Sequence, residues 1–301
     1  MGKEEEQKPE IEQSAVSREE FMRRFAISQL RKAQYSRVQD WWWATDESLS
    51  LIGSQLSECN HCVIDNFLGD DGFRNVRHDV MHAKSQGLIS EDGRLNGGRE
   101  GNATMAAIDK YYRSDTLGWF NCSALPSSGS LSCQFVDSDT QVDSEAPWEG
   151  LQYLLQRLET VVAEVRPKVP DLKDTSSRSK TMVTVYPADS LGYKRHIDNA
   201  NRNGRRLTLI YYIGIGNMAS ESYKRSFGGQ LRIHHEKSST FVDVEPIGDR
   251  LVLFYSDSRC PHEVMPVHCH DRYAITLWFF DSIEKREAAS AESQSQKEKT
   301  T

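Results

Sequence analysis

His196-Ile197-Asp198, Pro261-His262-Glu263-Val264 and Arg272-Tyr-Ala-Ile-Thr-Leu-Trp278, set among short alternating apolar runs, decide how this chain folds. In extended backbone residues i and i+2 point the same way, so His196 and Asp198 leave one strand end on one side. His262, entering a later strand, adds a third group. Two imidazoles and a carboxylate are the facial triad of non-haem Fe(II), which leaves positions open for an organic acid and dioxygen. Arg272 heads the next strand-like run, where its planar fork suits a carboxylate better than an ammonium would. His-x-Asp alone is a weak signal. With a distal His and a following Arg in β-rich sequence it becomes a specific one.

Outward from this core, Thr181–Tyr186, Arg206–Ile213, Gly229–His234, Phe241–Glu245, Arg250–Ser256 and His262–Val267 all read as short strands. Closely spaced strands without intervening helices predict an antiparallel sandwich or barrel. The helical patterns precede them. Asp70–Lys84 carries Phe73, Val76 and Val80 on one face, and Trp148–Val165 a stripe of Leu151, Leu154, Leu155, Leu158, Val161, Val162 and Val165. The expected architecture is α+β, mainly β: a double-stranded β-helix (jelly-roll, cupin-like) core with helices packed on one face. Residues 1–17 are expected to be a disordered tail, 18–56 a helical extension ending near a buried Trp41-Trp42-Trp43 cluster, 57–283 the functional domain with its chemistry in 180–283, and 284–301 a fraying tail. Arg113–Phe120 reads as a strand. The Ser/Asp/Pro-rich 121–147 reads as a long structureless segment, a sign of function or disorder.

Composition excludes several classes. A net charge of −7 argues against a nucleic-acid-binding surface. No apolar run is long enough for a membrane span, and the charged N-terminus is unlike a signal peptide. A monomer in the cytoplasm or nucleus is expected. In that compartment the six cysteines are expected to stay reduced. Cys59-Asn-His-Cys62 has metal-knuckle spacing but no second pair, so buried core thiols are the simpler expectation. His234 and His235 sit on a strand without a metal role. His268 and His270 fall in a turn, where surface histidines are common.

Tyr186-Pro, Gly192-Tyr193-x-Arg-His196-Ile-Asp198-Asn, Gly204-Arg205-x-Leu-Thr-x-Ile-Tyr211-Tyr212, Gly228-Gly229-x-Leu231, Pro261-His262-Glu-Val and Arg272-Tyr-Ala-Ile-Thr276-x-Trp278 together resemble the 2-oxoglutarate oxygenases that hydroxylate prolines in cytosolic proteins. That family includes the hypoxia-inducible-factor prolyl hydroxylases and relatives acting on an SCF ubiquitin-ligase adaptor. The resemblance covers about residues 60–283. It implies Fe(II) held by His196, Asp198 and His262, and 2-oxoglutarate paired to Arg272 and Tyr212. Tyr186 and Thr276 would line the pocket, with Ile210, Leu231, Val264 and Trp278 as its apolar wall. Arg113, Asp115, Trp119, Tyr193 and Arg205 would face the substrate, a proline-bearing protein of the hypoxia-factor or SCF-adaptor kind. Proline C4 hydroxylation with dioxygen as co-substrate, L-ascorbate as reductant and an oxygen-sensing role would follow. The alternative is an oxygenase acting on another residue type or a small molecule. Two departures stand out: one additional residue between His262 and Arg272, and a longer 121–147 segment, expected to serve as a recognition finger.

Overall fold

A computed structural model describes residues 41–93, 109–124, 131–136, 148–215, 223–235 and 240–298. Within them, the period-2 runs form strands paired antiparallel in two sheets. The larger sheet runs β1 (His61–Ile64), β11 (Arg250–Tyr255), β8 (Arg205–Ile215), β13 (Arg272–Asp281), β6 (Thr181–Tyr186), β3 (Thr116–Ala124) and β2 (Glu91–Asp92). Strand β4 (Leu131–Val136) pairs with β3, and β5 (Thr175–Arg178) with β13. The smaller sheet is β10 (Phe241–Val244), β9 (Leu231–His234), β12 (His262–Val264) and β7 (Tyr193–His196). This is the expected jelly-roll core.

Helices α1 (Asp46–Cys59) and α2 (Gly69–Ser85) pack on the larger sheet, and α3 (Glu149–Val165) packs against both of them. The whole apolar stripe of α3, from Leu151 to Val165, is buried. Each such Leu or Val stabilises the fold by roughly 1.5–3 kcal/mol. Thr45 caps α1 through its hydroxyl, which accepts the Ser48 amide. The tryptophan triplet lies in the core as expected: Trp43 is fully buried and stacks on Phe67 at 5.0 Å between centroids.

Helix α2 has no local cap. Its first amides are satisfied from far along the chain, where the Asp249 carboxylate accepts from Leu68 N and Gly69 N, each at 2.8 Å, and from Tyr211 Oη at 2.8 Å. Burial pushes the Asp249 pKa up to about 7, against the pull of these three donors. Asp249→Ala strands all three in an interior site, so a loss of about 3 kcal/mol is expected. A urea midpoint unchanged from the parent chain would show that solvent substitutes for the carboxylate.

The tertiary fold corrects the sequence expectations in four places. First, the 121–147 segment is not structureless throughout: β3 continues to Ala124 and β4 returns beside it. Phe120 and Phe135 are buried 5.4 Å apart, and Phe135 meets Trp148 edge-on at 5.0 Å. The hairpin therefore belongs to the core, and removal of 124–145 would take a core strand with it. Its alternation is diluted by Ser and Cys, which hid it. Residues 125–130 and 137–147 lie outside the described residues.

Second, Cys122 and Cys133 stand directly opposite in that hairpin and form a disulfide, with Cα atoms 4.1 Å apart. Register, not sequence spacing, brings them together. Cys59, Cys62, Cys260 and Cys269 are free. Cys62 is buried in β1 and its thiol is pushed well up by desolvation, the opposite of a metal-bound thiolate.

Third, the tail after Asp281 is helical over α4 (Ser282–Glu298). Glu, Lys, Ala and Gln are polar or small, yet they are strong helix formers. The Asp281 carboxylate also accepts the Ile283 and Glu284 amides at 2.9 and 3.0 Å. Fourth, α1 crosses the expected boundary at 56/57. Leu49, Ile52 and Leu56 join the main core, so this stretch is part of the domain. The expectations for 1–17 and 18–40 fall outside the described residues.

Candidate metal and organic-acid site

Antiparallel pairing of β7 with β12 sets His262 opposite His196. Their ring centroids are 4.3 Å apart. Asp198 follows in the turn after β7, its Oδ1 3.7 Å from His196 Nε2 and its Oδ2 3.8 Å from His262 Nε2. The three donor atoms all lie within 4.8 Å of one another. His196 Nδ1 sits 2.8 Å from the Lys194 carbonyl and His262 Nδ1 3.0 Å from the Cys260 carbonyl. A carbonyl only accepts, so each Nδ1 carries the proton and each Nε2 presents its lone pair. Desolvation, reinforced by His262, pushes His196 down to about 3 and keeps it neutral. Burial alone would raise Asp198; His262, His196, Arg205 and the Trp278 N–H outweigh it and bring the carboxyl to about 2. These are the protonation states a divalent cation requires. The donor set, two imidazoles and one carboxylate, fits Fe(II).

The triad lies in a cavity of about 310 Å³ between the sheets. At its inner end Arg272 is 1% exposed, with no carboxylate beside it among the described residues. Its Nε donates to the Gly229 carbonyl at 2.7 Å and its Nη2 to Tyr212 Oη at 3.4 Å. Gly229 has φ +73°, and a Cβ there would come 2.9 Å from Arg272 Cδ, so glycine is required for the approach. A buried guanidinium without a counter-ion calls for an anionic ligand. Tyr186, Thr276, Ile210, Leu231 and Val264 line the cavity. The Tyr212 hydroxyl accepts from Arg272 Nη2 at the same end of the cavity. Burial raises both the Tyr186 and Tyr212 phenols, so they are neutral donors.

At the outer end Arg113 forms a two-pronged pair with Asp115, Nε–Oδ1 2.8 Å and Nη2–Oδ2 2.9 Å. Asp115 is fully buried and holds Arg113 in place, whereas Arg113 itself reaches the cavity. Tyr193 stacks on the His196 ring at 3.6 Å. Trp119 lies 6.5 Å from Trp278 and lines the same end. Arg205 lies 4.4 Å over the Trp278 ring and donates from Nη1 to the Asp198 carbonyl at 3.2 Å.

His268 and His270 are absent from the cavity lining. The His268 amide donates to Phe227 O at 2.7 Å, and the His270 ring packs edge-on against Phe227. Between them Cys269 adopts φ 67°, and the turn closes with Arg272 in register opposite Tyr186. His234 Nε2 pairs with Glu263 at 2.9 Å, away from the triad.

Met182, Thr184, Thr208, Ala274, Leu117, Glu91 and Asp92 also line the cavity and were not anticipated. The first five had a signal: each lies an even number of residues from a recognised inward residue on β3, β6, β8 or β13. Glu91 and Asp92 had none, because only the pairing of β2 with β3 carries them to the mouth.

Comparison with known proteins agrees with this geometry. The model of the 2OG-Fe(II) oxygenase superfamily matches residues 181–280. The chain is 34% identical to human prolyl hydroxylase EGLN3 over 241 residues, covering 80% of this chain and 87% of that protein. It is 31% identical to the hypoxia-inducible factor prolyl hydroxylase of Caenorhabditis elegans, of which it covers 28%. A solved prolyl hydroxylase from Trichoplax adhaerens, in complex with a hypoxia inducible factor peptide, superposes with TM-score 0.62 at 31% identity, covering 82% of this chain and 96% of that one. A Pseudomonas putida prolyl-4-hydroxylase shares the fold, with TM-score 0.56 at 19% identity.

Proposed function

The chain belongs to the 2-oxoglutarate- and Fe(II)-dependent prolyl hydroxylases, and from that membership we propose that its own residues divide the work of hydroxylating a proline at C4 in a protein segment. Bound Fe(II), 2-oxoglutarate and dioxygen supply the oxidation of the C–H bond, coupled to decarboxylation to succinate. His196, Asp198 and His262 hold the metal. Arg272, steadied by Gly229 O, binds the distal carboxylate of 2-oxoglutarate together with the Tyr212 hydroxyl, with Thr276 and Tyr186 lining the pocket. Ile210, Leu231 and Val264 keep water from the co-substrate chain. The proline-bearing segment enters past Arg113, Trp119, Tyr193 and Arg205, with Asp115 fixing the entrance arginine.

The observation that carries this reading is the pairing, in one cavity, of a complete triad with a buried arginine that has no carboxylate partner among the described residues. The Caenorhabditis elegans relative is named a hypoxia-inducible factor prolyl hydroxylase and the Trichoplax adhaerens enzyme is in complex with a hypoxia inducible factor peptide, which supports a substrate of that kind, or an SCF-adaptor proline, and an oxygen-sensing role. L-Ascorbate as reductant for the iron, a monomeric enzyme and a cytoplasmic or nuclear setting complete the proposal. A net charge of −7 supports the absence of nucleic acid among its partners, and among the described residues no helix is long and apolar enough to cross a membrane.

The test is mass spectrometry of proline peptides from both substrate kinds, incubated with the full chain, Fe(II), 2-oxoglutarate and ascorbate. One added oxygen on proline, matched by succinate, is expected. Succinate formation stimulated by a lysyl peptide or a free small molecule, with every proline peptide unaltered, would favour the alternative oxygenase.

A further inference from the structure

Behind the triad, outside the cavity lining, Ser256 is 1% exposed and carries a hydroxyl that packing alone does not account for. Its Oγ lies 2.8 Å from Thr208 Oγ1, which in turn donates to Asp198 Oδ2 at 2.7 Å. An ionised carboxylate only accepts, so the Thr208 proton lies on the Asp198 side. The Thr208 oxygen is then an acceptor toward Ser256, and the Ser256 hydroxyl must donate. The direction of the chain is forced: Ser256 to Thr208 to Asp198. Trp278 Nε1 also donates to Oδ2, at 2.9 Å. Two donors saturate that oxygen and leave Oδ1, beside His196, free for a cation.

Ser256 is itself placed by its backbone. Its amide donates to Arg206 O at 3.1 Å on β8, and its carbonyl accepts from Asn199 N at 2.8 Å, one residue after Asp198. One residue therefore grips both the strand that carries Thr208 and the turn that carries the ligand.

We propose that Ser256 is a positioning residue of the metal site: by donating to Thr208 it keeps the Thr208 hydroxyl on Asp198 Oδ2 and holds the carboxylate turned to bind the cation through Oδ1. The proposal rests on the reading of the triad as the iron site. Without the Ser256 donor, the Thr208 hydroxyl is free to rotate away and the carboxylate loses one of its two tethers. Partners behind a ligand are worth about 10–100-fold in metal affinity. The Thr208 contact is direct and should lie in that range; Ser256 acts at one remove and should lie at or just below its lower end.

The test needs no turnover. Metal-free full chain is titrated with Co(II), followed by visible absorption and calorimetry. Thr208→Val is expected to weaken binding about 10–100-fold and Thr208→Ser to stay near the parent value. Ser256→Ala is expected to weaken it roughly 3–10-fold and to alter the Co(II) spectrum. In the Thr208→Val background Ser256→Ala should add nothing, because its route is already cut. Should Ser256→Ala fail to fold, Ser256→Cys, a weaker donor of similar size, should show the same direction. Unchanged Co(II) affinity and spectrum in the Ser256 variant, or additive losses in the double variant, would overturn the proposal. Asp198→Ala separates the two levels. If it abolishes Co(II) binding while Ser256→Ala leaves it intact, this inference alone fails; if it binds Co(II) like the parent chain, the triad reading fails too.

Discussion

Alanine at His196, Asp198 or His262 abolishes 2-oxoglutarate turnover, whereas alanine at His268 or His270 leaves it within a fewfold of the parent: this is the expected result. Each of the first three supplies one of the donor atoms gathered within 4.8 Å. Removing one leaves a two-ligand site that cannot hold the metal in place. Asp198→Ala is the most damaging, because it also strands the Thr208 hydroxyl and the Trp278 N–H in a buried setting. His268 and His270 resemble His262 in residue type and closeness to Arg272, but the turn directs them to Phe227 and solvent. Succinate release with each purified, folded variant is the measurement. Full turnover in His262→Ala combined with its loss in His270→Ala would reassign the distal ligand.

The second large effect is at the clamp. Arg272→Lys is expected to raise the 2-oxoglutarate KM roughly a hundredfold while Co(II) affinity stays unchanged. Arg272 now satisfies Gly229 O and Tyr212 and still has a face toward the cavity. An ammonium meets a carboxylate at one point and cannot keep the same geometry. Breaking a buried charge pair costs about 3–5 kcal/mol, of which lysine recovers part, and about 3 kcal/mol is two orders of magnitude. An unchanged KM would mean that the additional residue in the turn has moved the guanidinium away from the co-substrate. The register of β13 against β6 and β8, with Arg272 opposite Tyr186 and Ile215, argues that it has not.

Much of the site was legible because its signals are local or periodic. His196 ends β7 and Asp198 follows two residues on in the turn, so that pair is local in sequence, and Arg272 with Thr276 and Trp278 needs only alternation along β13. The α3 stripe was legible for the matching reason at period 3.6, and α3 buries it almost unchanged. Weak alternation did not survive this kind of reading. β4 carries one buried aromatic among Ser, Cys and Gln, and it is a strand because β3 offers it a partner and Trp148 covers Phe135.

The sequence by itself determined the β-rich jelly-roll class and singled out His196, Asp198, His262 and Arg272 as candidates, since these depend on residue type and on the texture of the flanking runs. Only the tertiary structure decided which residues meet across distance. Cys122 finds Cys133 through hairpin register, Asp249 caps α2 across 180 residues of chain, and the Tyr212 hydroxyl meets Arg272. The Ser256 hydroxyl reaches the Asp198 carboxylate through Thr208. The physical reason is common to all of these: hydrogen-bond direction and strand register act at a few ångströms in space, and the chain's order carries no record of which distant groups will come that close.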